Sequence, residues 1–234
     1  DLTVYATNMT MLHGFLHLPN LDAVYWTLTV EMRFYGFIFL ILLLRRYHQM
    51  IGFMTLWLAV SLVDQLHLLP RGDSFFATFY APFFVAGFLF SEWFRARLTP
   101  FSAFVLITAL IMGIARALDF FAQDSIITGV PTHPAAVIGI LLTFYLIFAL
   151  ICTHRLRLNR LAKWSAIVGG ISYPLFLLHN FAGITLLQIL APYLNRWLNL
   201  IVVCSMSILS AWIIWRYLEK PFARLLKSYL PVRK

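Results

Sequence analysis

Charge is scarce in this sequence. Only 12% of its 234 residues are Asp, Glu, Lys or Arg, roughly half the ~25% of an ordinary soluble domain. Acids are the scarcer sign, 9 against 18 basic residues. So little polar surface cannot cover a soluble core of this size, and the apolar excess also excludes a disordered chain. Cysteine is nearly absent. Cys152 and Cys204 are too few for a disulfide-stapled secreted domain, and both sit in apolar stretches where small buried hydrophobes are the ordinary reading. No C-x-x-C or Cys/His spacing suggests a metal. A secretory leader is not seen: Asp1 opens the chain without Met or a basic n-region, so we expect a piece of a longer protein. The net charge of +9 sits between long apolar runs, which argues against nucleic acid as a partner.

What is abundant is apolar sequence, 62% of the chain. The class left is an all-α, polytopic transmembrane helix bundle whose first partner is the lipid bilayer. Seven stretches reach the roughly 20 apolar residues a spanning helix needs: about Val24–Leu44, Met50–Leu69, Phe75–Phe94, Pro100–Leu118, Pro134–Cys152, Trp164–Leu190 and Trp197–Leu218. Six carry aromatics near an end, as interfacial belts do. Pro100 and Pro134 suit a first helical turn. No long linker and no repeat of fixed period appears, so residues 1–234 read as a single membrane domain. Within it, 1–21 form an extracytoplasmic segment and 219–234 a cytoplasmic basic tail.

Positive charge sets the expected topology. Arg45 and Arg46 follow the first stretch, Arg95 and Arg97 the third, and Arg155, Arg157, Arg160 and Lys163 the fifth. Arg216, Lys220, Arg224, Lys227, Arg233 and Lys234 follow or close the seventh. These are fourteen of the 18 cations, all on one side, and by the positive-inside rule that side is cytoplasmic. Arg71, Arg116 and Arg196 fall on the other side, and Arg33 within the first stretch. The N-terminus of the chain is then outside and the C-terminus inside, and an odd span number implies further spans upstream.

Ionisable groups within spans cost about 2.5–3.5 kcal/mol each and normally face protein or a wet cavity. Glu31 and Arg33 lie in the first stretch, Asp64 and His67 near the outer end of the second, and His179 and Asn180 about fifteen residues into the sixth. All share a similar depth beyond the midplane, which permits one outward-facing polar cavity. Plainer readings stand beside that one. Glu31 could pair with an arginine from another helix. Arg33, about 200° round a helix from Glu31, could snorkel outward. Asp64 and His67 could be merely solvated, and His179 a satisfied core histidine.

Local patterns go further. The run Tyr25-Trp26-Thr27-Leu28-Thr29-Val30-Glu31-Met32-Arg33-Phe34-Tyr35 resembles the W-S/T-L-x-V-E-x-x-F-Y signature of the membrane-bound acyltransferase 3 family. Gly170-Ile171-Ser172-Tyr173-Pro174-Leu175-Phe176-Leu177-Leu178-His179 is similar to that family's G-x-S-Y-x-x-Y-L-x-H segment, with Phe176 where the family has Tyr. Glu219-Lys220-Pro221-Phe222 resembles its closing E-x-P-F. The order of the three pieces covers most of the chain.

The resemblance implies an integral membrane transferase of about ten spans. Such enzymes move an acyl group, often acetyl, from cytoplasmic acyl-CoA to a hydroxyl of an extracytoplasmic carbohydrate. The expected setting is the bacterial cytoplasmic membrane, with acyl-CoA (acetyl-CoA in the simplest case) as co-substrate and no metal. The family's arginine, the histidine about ten residues after it that serves as base, and an R-x-x-R motif are expected upstream of Asp1, so residues 1–234 alone are expected to be inactive. Arg157-Leu158-Asn159-Arg160 has the R-x-x-R spelling but lies in a later loop, and the role is not transferred to it.

Thioester chemistry needs a base for the hydroxyl proton, donors for the oxyanion and alignment of both reactants. Glu31 and His179 are the candidate catalytic residues in this chain: Glu31 to orient the upstream imidazole, His179 to donate to the oxyanion or hold the acceptor. Trp26, Arg33, Tyr35, Asp64, His67, Ser172, Tyr173 and Asn180 are candidate substrate-binding residues. Arg45, Arg46, Arg95, Arg97, Arg155 and Arg157 lie on the correct side for the CoA phosphates, which suit arginine's fork. A multi-span solute transporter is the main alternative, and a membrane scaffold the second.

Overall fold

The structure is a computed structural model that describes residues 2–68, 76–153 and 162–229. Among these residues the regular secondary structure is helical. The helices are α1 (Leu2–Met9), α2 (Trp26–Leu43), α3 (Met50–Gln65), α4 (Ala81–Arg95), α5 (Pro100–Thr128), α6 (Pro134–Cys152), α7 (Ala162–Leu178), α8 (Phe181–Leu190), α9 (Arg196–Ile214) and α10 (Lys220–Tyr229). A π-helical turn at Trp215–Glu219 separates α9 from α10.

Helix ends follow local chemistry. Pro100 opens α5, and the Thr99 hydroxyl accepts from the Ser102 N–H at 3.1 Å. At the far end Gly129 takes φ 70°, a left-handed conformation that costs glycine nothing and stops the helix. Asn195 caps α9 by accepting from the Leu198 N–H at 2.9 Å.

Four helices among the described residues are long and apolar enough to cross a bilayer, or five if the bent pair α7–α8 counts as one span. The sequence reading expects seven, and the all-α bundle it describes is what the helices form. The second and third stretches do form helices, but of 16 and 15 residues. At ~1.5 Å per residue each is about 24 Å or less, short of the ~30 Å hydrocarbon core. In the third stretch the backbone is non-helical over 77–80, and the helix begins at Ala81 with Pro82 in the first turn. The pair runs antiparallel. Tyr47, ahead of α3, donates to Glu92 Oε1 near the end of α4 at 3.1 Å, while Ser61 late in α3 donates to the Thr78 carbonyl just before α4 at 2.6 Å. Arg45 and Arg46 therefore share one end with Arg95 and Arg97 whether or not this hairpin crosses the whole membrane.

The chain divides into two compact units, Val30–Arg157 and Asp1–Thr29 with Leu158–Lys234. In the first unit α3, α4 and α5 pack around fully buried Met54, Ala81, Val85, Leu89 and Ala109. Phe34 stacks on Phe84 at 4.3 Å between centroids and lies 5.9 Å from Trp57. Cys152 is buried here as a small hydrophobe and its thiol donates to the Phe90 carbonyl. On α6 only Cys152 is buried; Ile140, Leu142, Phe144 and Leu146 stand exposed. Such a bare apolar helix is stable only against hydrocarbon, since its backbone is satisfied internally and its side chains need no water.

In the other unit α7, α8 and α9 pack together, and the Trp215 indole lies against Gly170. A Cβ at Gly170 would run into that ring, so the glycine is required for close approach. Cys204, expected to be buried, is exposed on α9.

A candidate acyl-transfer site at a broken membrane helix

The sixth apolar stretch is not one straight span. α7 and α8 meet at His179 and Asn180 with a bend of 69°. Two features break it. Pro174 inside α7 lacks an N–H and weakens the preceding turn. Then a carboxylate from another part of the chain takes over the first turn of α8. Asp22 is buried at 6% exposure, and it accepts from Asn180 Nδ2 at 2.6 Å and from the Phe181 N–H at 3.0 Å. It also accepts from the Val24 N–H at 3.1 Å, capping the short turn Ala23–Tyr25. Burial alone would push the Asp22 carboxyl up. The Asn180 side chain, the Val24 and Phe181 N–H groups and the nearby His179 outweigh it, so Asp22 titrates below its ordinary value.

His179 sits on the α7 side of the break. Its Nδ1 lies 2.8 Å from the Phe176 carbonyl and 3.2 Å from that of Leu175. Carbonyl oxygens only accept, so Nδ1 carries a proton. In the neutral imidazole Nε2 then holds a lone pair. Beside the ring lies a groove of about 520 Å³ between α7, α8 and α9. Ser172, Leu175, Phe176, Ile184, Leu187, Leu200, Val203, Cys204, Ser207 and Ile208 line it with His179. The wall is apolar apart from two hydroxyls, a thiol and the imidazole. Such a groove suits an acyl or thioester arm and positions a few polar groups against it. The Ser172 hydroxyl donates to the Gly169 carbonyl at 2.7 Å.

The remaining candidates distribute as follows. Asn180 joins Asp22, and Ser172 joins His179 at the groove. Trp26 and Tyr173 are each 40% exposed in the same unit. In the other unit, Glu31 is half-buried on α2, and its carboxylate makes no hydrogen bond or ion pair with any described residue. Arg33 is half-buried and Tyr35 exposed on the same helix. Asp64, for which solvation was an open reading, is paired instead: Arg116 Nη2 donates to Asp64 Oδ2 at 2.9 Å, with both side chains 11% exposed. Thr78 adds a hydrogen bond of 2.8 Å to the same oxygen, and Arg116 also reaches the Ser61 carbonyl at 3.0 Å. This is an ion pair holding α3 to α5. His67 is exposed with φ 58°. Arg45, Arg46, Arg95 and Arg97 are exposed; Arg155 and Arg157 lie outside the described residues.

Removing one partner of a buried ion pair strands the other charge and costs about 3–5 kcal/mol. Arg116→Ala is therefore expected to lower the melting temperature of the detergent-purified protein well below that of a surface Arg95→Ala control, as read by light scattering or size-exclusion after heating.

A family model described as an acyltransferase domain matches residues 2–216. The chain belongs to the acyltransferase 3 family. No curated protein and no solved structure matches it. As an acyltransferase 3 protein it is an integral membrane transferase, and its two diagnostic polar segments have distinct local structures. The segment with Glu31 is a continuous helix. The segment with His179 is a helix end.

Asp22 was missed in the sequence because it stands just before an apolar stretch and reads as a solvated loop residue. One available signal was length: Trp164–Leu190 has 27 residues, longer than a single crossing needs, with a proline and an asparagine inside it. Asp22→Ala is expected to loosen the break. Spin labels at exposed Val168 on α7 and Ile189 on α8 should give one narrow distance in the parent protein and a broadened distribution in the variant. The clamp also has a pH sign. A carboxyl held below its ordinary value contributes stability above that value and loses it as pH falls through the lowered one. The narrow distance should persist at neutral pH and broaden only in strong acid. A distribution indifferent to Asp22 would mean that Pro174 alone sets the bend.

Proposed function

We propose that this acyltransferase 3 protein moves an acyl group, acetyl in the simplest case, from cytoplasmic acyl-CoA to a hydroxyl of an extracytoplasmic carbohydrate. The observation that carries this reading is the groove at the α7–α8 break, an apolar slot with an imidazole in its wall. Trp26 and Tyr173 offer flat faces with polar tips to a sugar ring. With Nδ1–H committed to the Phe176 carbonyl, neutral His179 accepts from the acceptor hydroxyl through Nε2. It donates to an oxyanion only as imidazolium, so holding the acceptor is the favoured role. Glu31, with no hydrogen-bond or ion-pair partner among the described residues, is the charge that orients and stabilises the imidazolium of a histidine base.

The CoA phosphates are met by arginine. Arg45, Arg46, Arg95 and Arg97 are exposed at one end of the α3–α4 hairpin, and the positive-inside rule makes that end cytoplasmic. Arg155 and Arg157 belong to the same side by sequence. The N-terminal segment then lies outside and the C-terminus inside, in a bacterial cytoplasmic membrane. No metal enters the scheme.

The test is to supply isotopically labelled acetyl-CoA to membranes containing the full-length protein and to follow label into carbohydrate. Label in the glycan fraction that depends on the protein supports the reading. One feature favours a transporter as the second reading: a broken span is a familiar ion or substrate site in that class. Protein-dependent solute uptake without acyl-CoA, and no labelled glycan, would replace transfer with transport.

A further inference from the structure

The acyl-transfer reading makes no use of α10. Its apolar residues Phe222, Leu225, Leu226 and Tyr229 follow the i, i+3, i+4, i+7 spacing. At ~100° per residue they form a stripe about 100° wide. All four are exposed, at 66%, 54%, 50% and 76%. Lys220, Arg224, Lys227 and Ser228 occupy the opposite face, and the helix contains no acid. Three cations in ten residues exclude a spanning role.

The setting explains where this helix lies. α9, the π turn and α10 form a run of 34 residues, Arg196–Tyr229. Kept in line it would measure about 51 Å at ~1.5 Å per residue, against ~30 Å of hydrocarbon. α10 is the part left over. Projecting straight outward, it would hold its apolar stripe in water. The π turn at Trp215–Glu219 is the kind of feature at which helices redirect. Trp215 and Tyr217 mark this turn as interfacial, and Lys220 Nζ lies 3.8 Å from the Trp215 ring centroid, a cation–π contact that anchors the start of α10 there.

We propose that α10 is a lipid-surface helix. Its Phe222–Leu225–Leu226–Tyr229 stripe sinks into the headgroup–acyl boundary where α9 leaves the membrane, and Lys220, Arg224 and Lys227 hold anionic phospholipid headgroups. The charge decides between lipid and protein as the cover. A second copy packed stripe to stripe would gather six cations with no acid on either helix. An anionic membrane surface neutralises the same cations and takes up the stripe. Arg233 and Lys234, next in sequence, add to the same attraction.

The test uses the full chain in lipid nanodiscs of phosphatidylcholine, with or without phosphatidylglycerol. Single cysteines at Phe222, Arg224, Leu226 and Ser228, in a Cys152→Ala, Cys204→Ala background, carry spin labels whose access to oxygen and to a water-soluble nickel chelate is measured. Oxygen should dominate at 222 and 226 and nickel at 224 and 228, with a contrast on the order of threefold. Phosphatidylglycerol should deepen the contrast, and Lys220→Gln with Lys227→Gln should abolish that deepening. Equal nickel access at all four sites would overturn the proposal, because the stripe would then be in water. Protection of 222 and 226 from both reagents, indifferent to lipid composition, would overturn it in favour of a protein cover.

Discussion

Glu31→Gln is expected to leave the protein in the membrane at its normal level and to remove its acyl transfer. The substitution keeps size and most hydrogen-bonding capacity and deletes only the charge. Glu31 is half-buried on a membrane helix and makes no hydrogen bond or ion pair with any described residue, so folding gains nothing visible from that charge. An ionised carboxylate at this depth costs about 2.5–3.5 kcal/mol to insert, and with no partner among the described residues the cost points to a use in the reaction. Converting the carboxylate of a catalytic triad to its amide lowers turnover on the order of 10⁴-fold, and a loss of that size is expected here. Membrane level by immunoblot and turnover with labelled acetyl-CoA separate the two effects. Near-normal turnover would return Glu31 to the packing role.

The second large effect is expected at His179. His179→Ala removes the imidazole in the groove wall and should cost about tenfold or more in kcat, as expected for a lost acid–base or oxyanion group. His179→Asn is the informative companion. An amide can still donate to the Phe176 carbonyl while losing the Nε2 lone pair. If the ring matters only as a cap on the end of α7, Asn rescues activity. If Nε2 holds the acceptor hydroxyl, Asn stays as impaired as Ala. The same pair read by thermal stability should show little difference, because His179 is exposed.

Several of these features were legible in the sequence and some were not, for identifiable reasons. The all-helical membrane class follows from composition, and the proline-opened helices Pro100–Thr128 and Pro134–Cys152 begin where expected. Helix length within each apolar run did not follow. A hydropathy run records which residues tolerate lipid, whereas the helix between Phe75 and Phe94 begins only at Ala81, next to Pro82. The bend at His179 was hidden for a different reason. Asp22 caps α8 from 158 positions away in the chain, and no window of local periodicity contains both partners. The Asp64–Arg116 pair was hidden likewise, its members standing 52 residues apart. Glu31 and His179 are candidates because a polar group inside an apolar run stands out by itself, and Ser172 through its place in the family segment, while Asp22 lies just outside such a run.

The function turns on whether the acyl group travels from one face of the membrane to the other. Full-length protein in sealed vesicles, with labelled acetyl-CoA outside and carbohydrate acceptor inside, measures this directly, because the charged donor does not cross the bilayer and only molecules with the Arg45, Arg46, Arg95 and Arg97 end outward can meet it. Label in the enclosed carbohydrate, carried by the outward-facing molecules and lost with Glu31→Gln, is the expected result. Label that stays outside, or that appears only when donor and acceptor share a compartment, would contradict transfer across the bilayer.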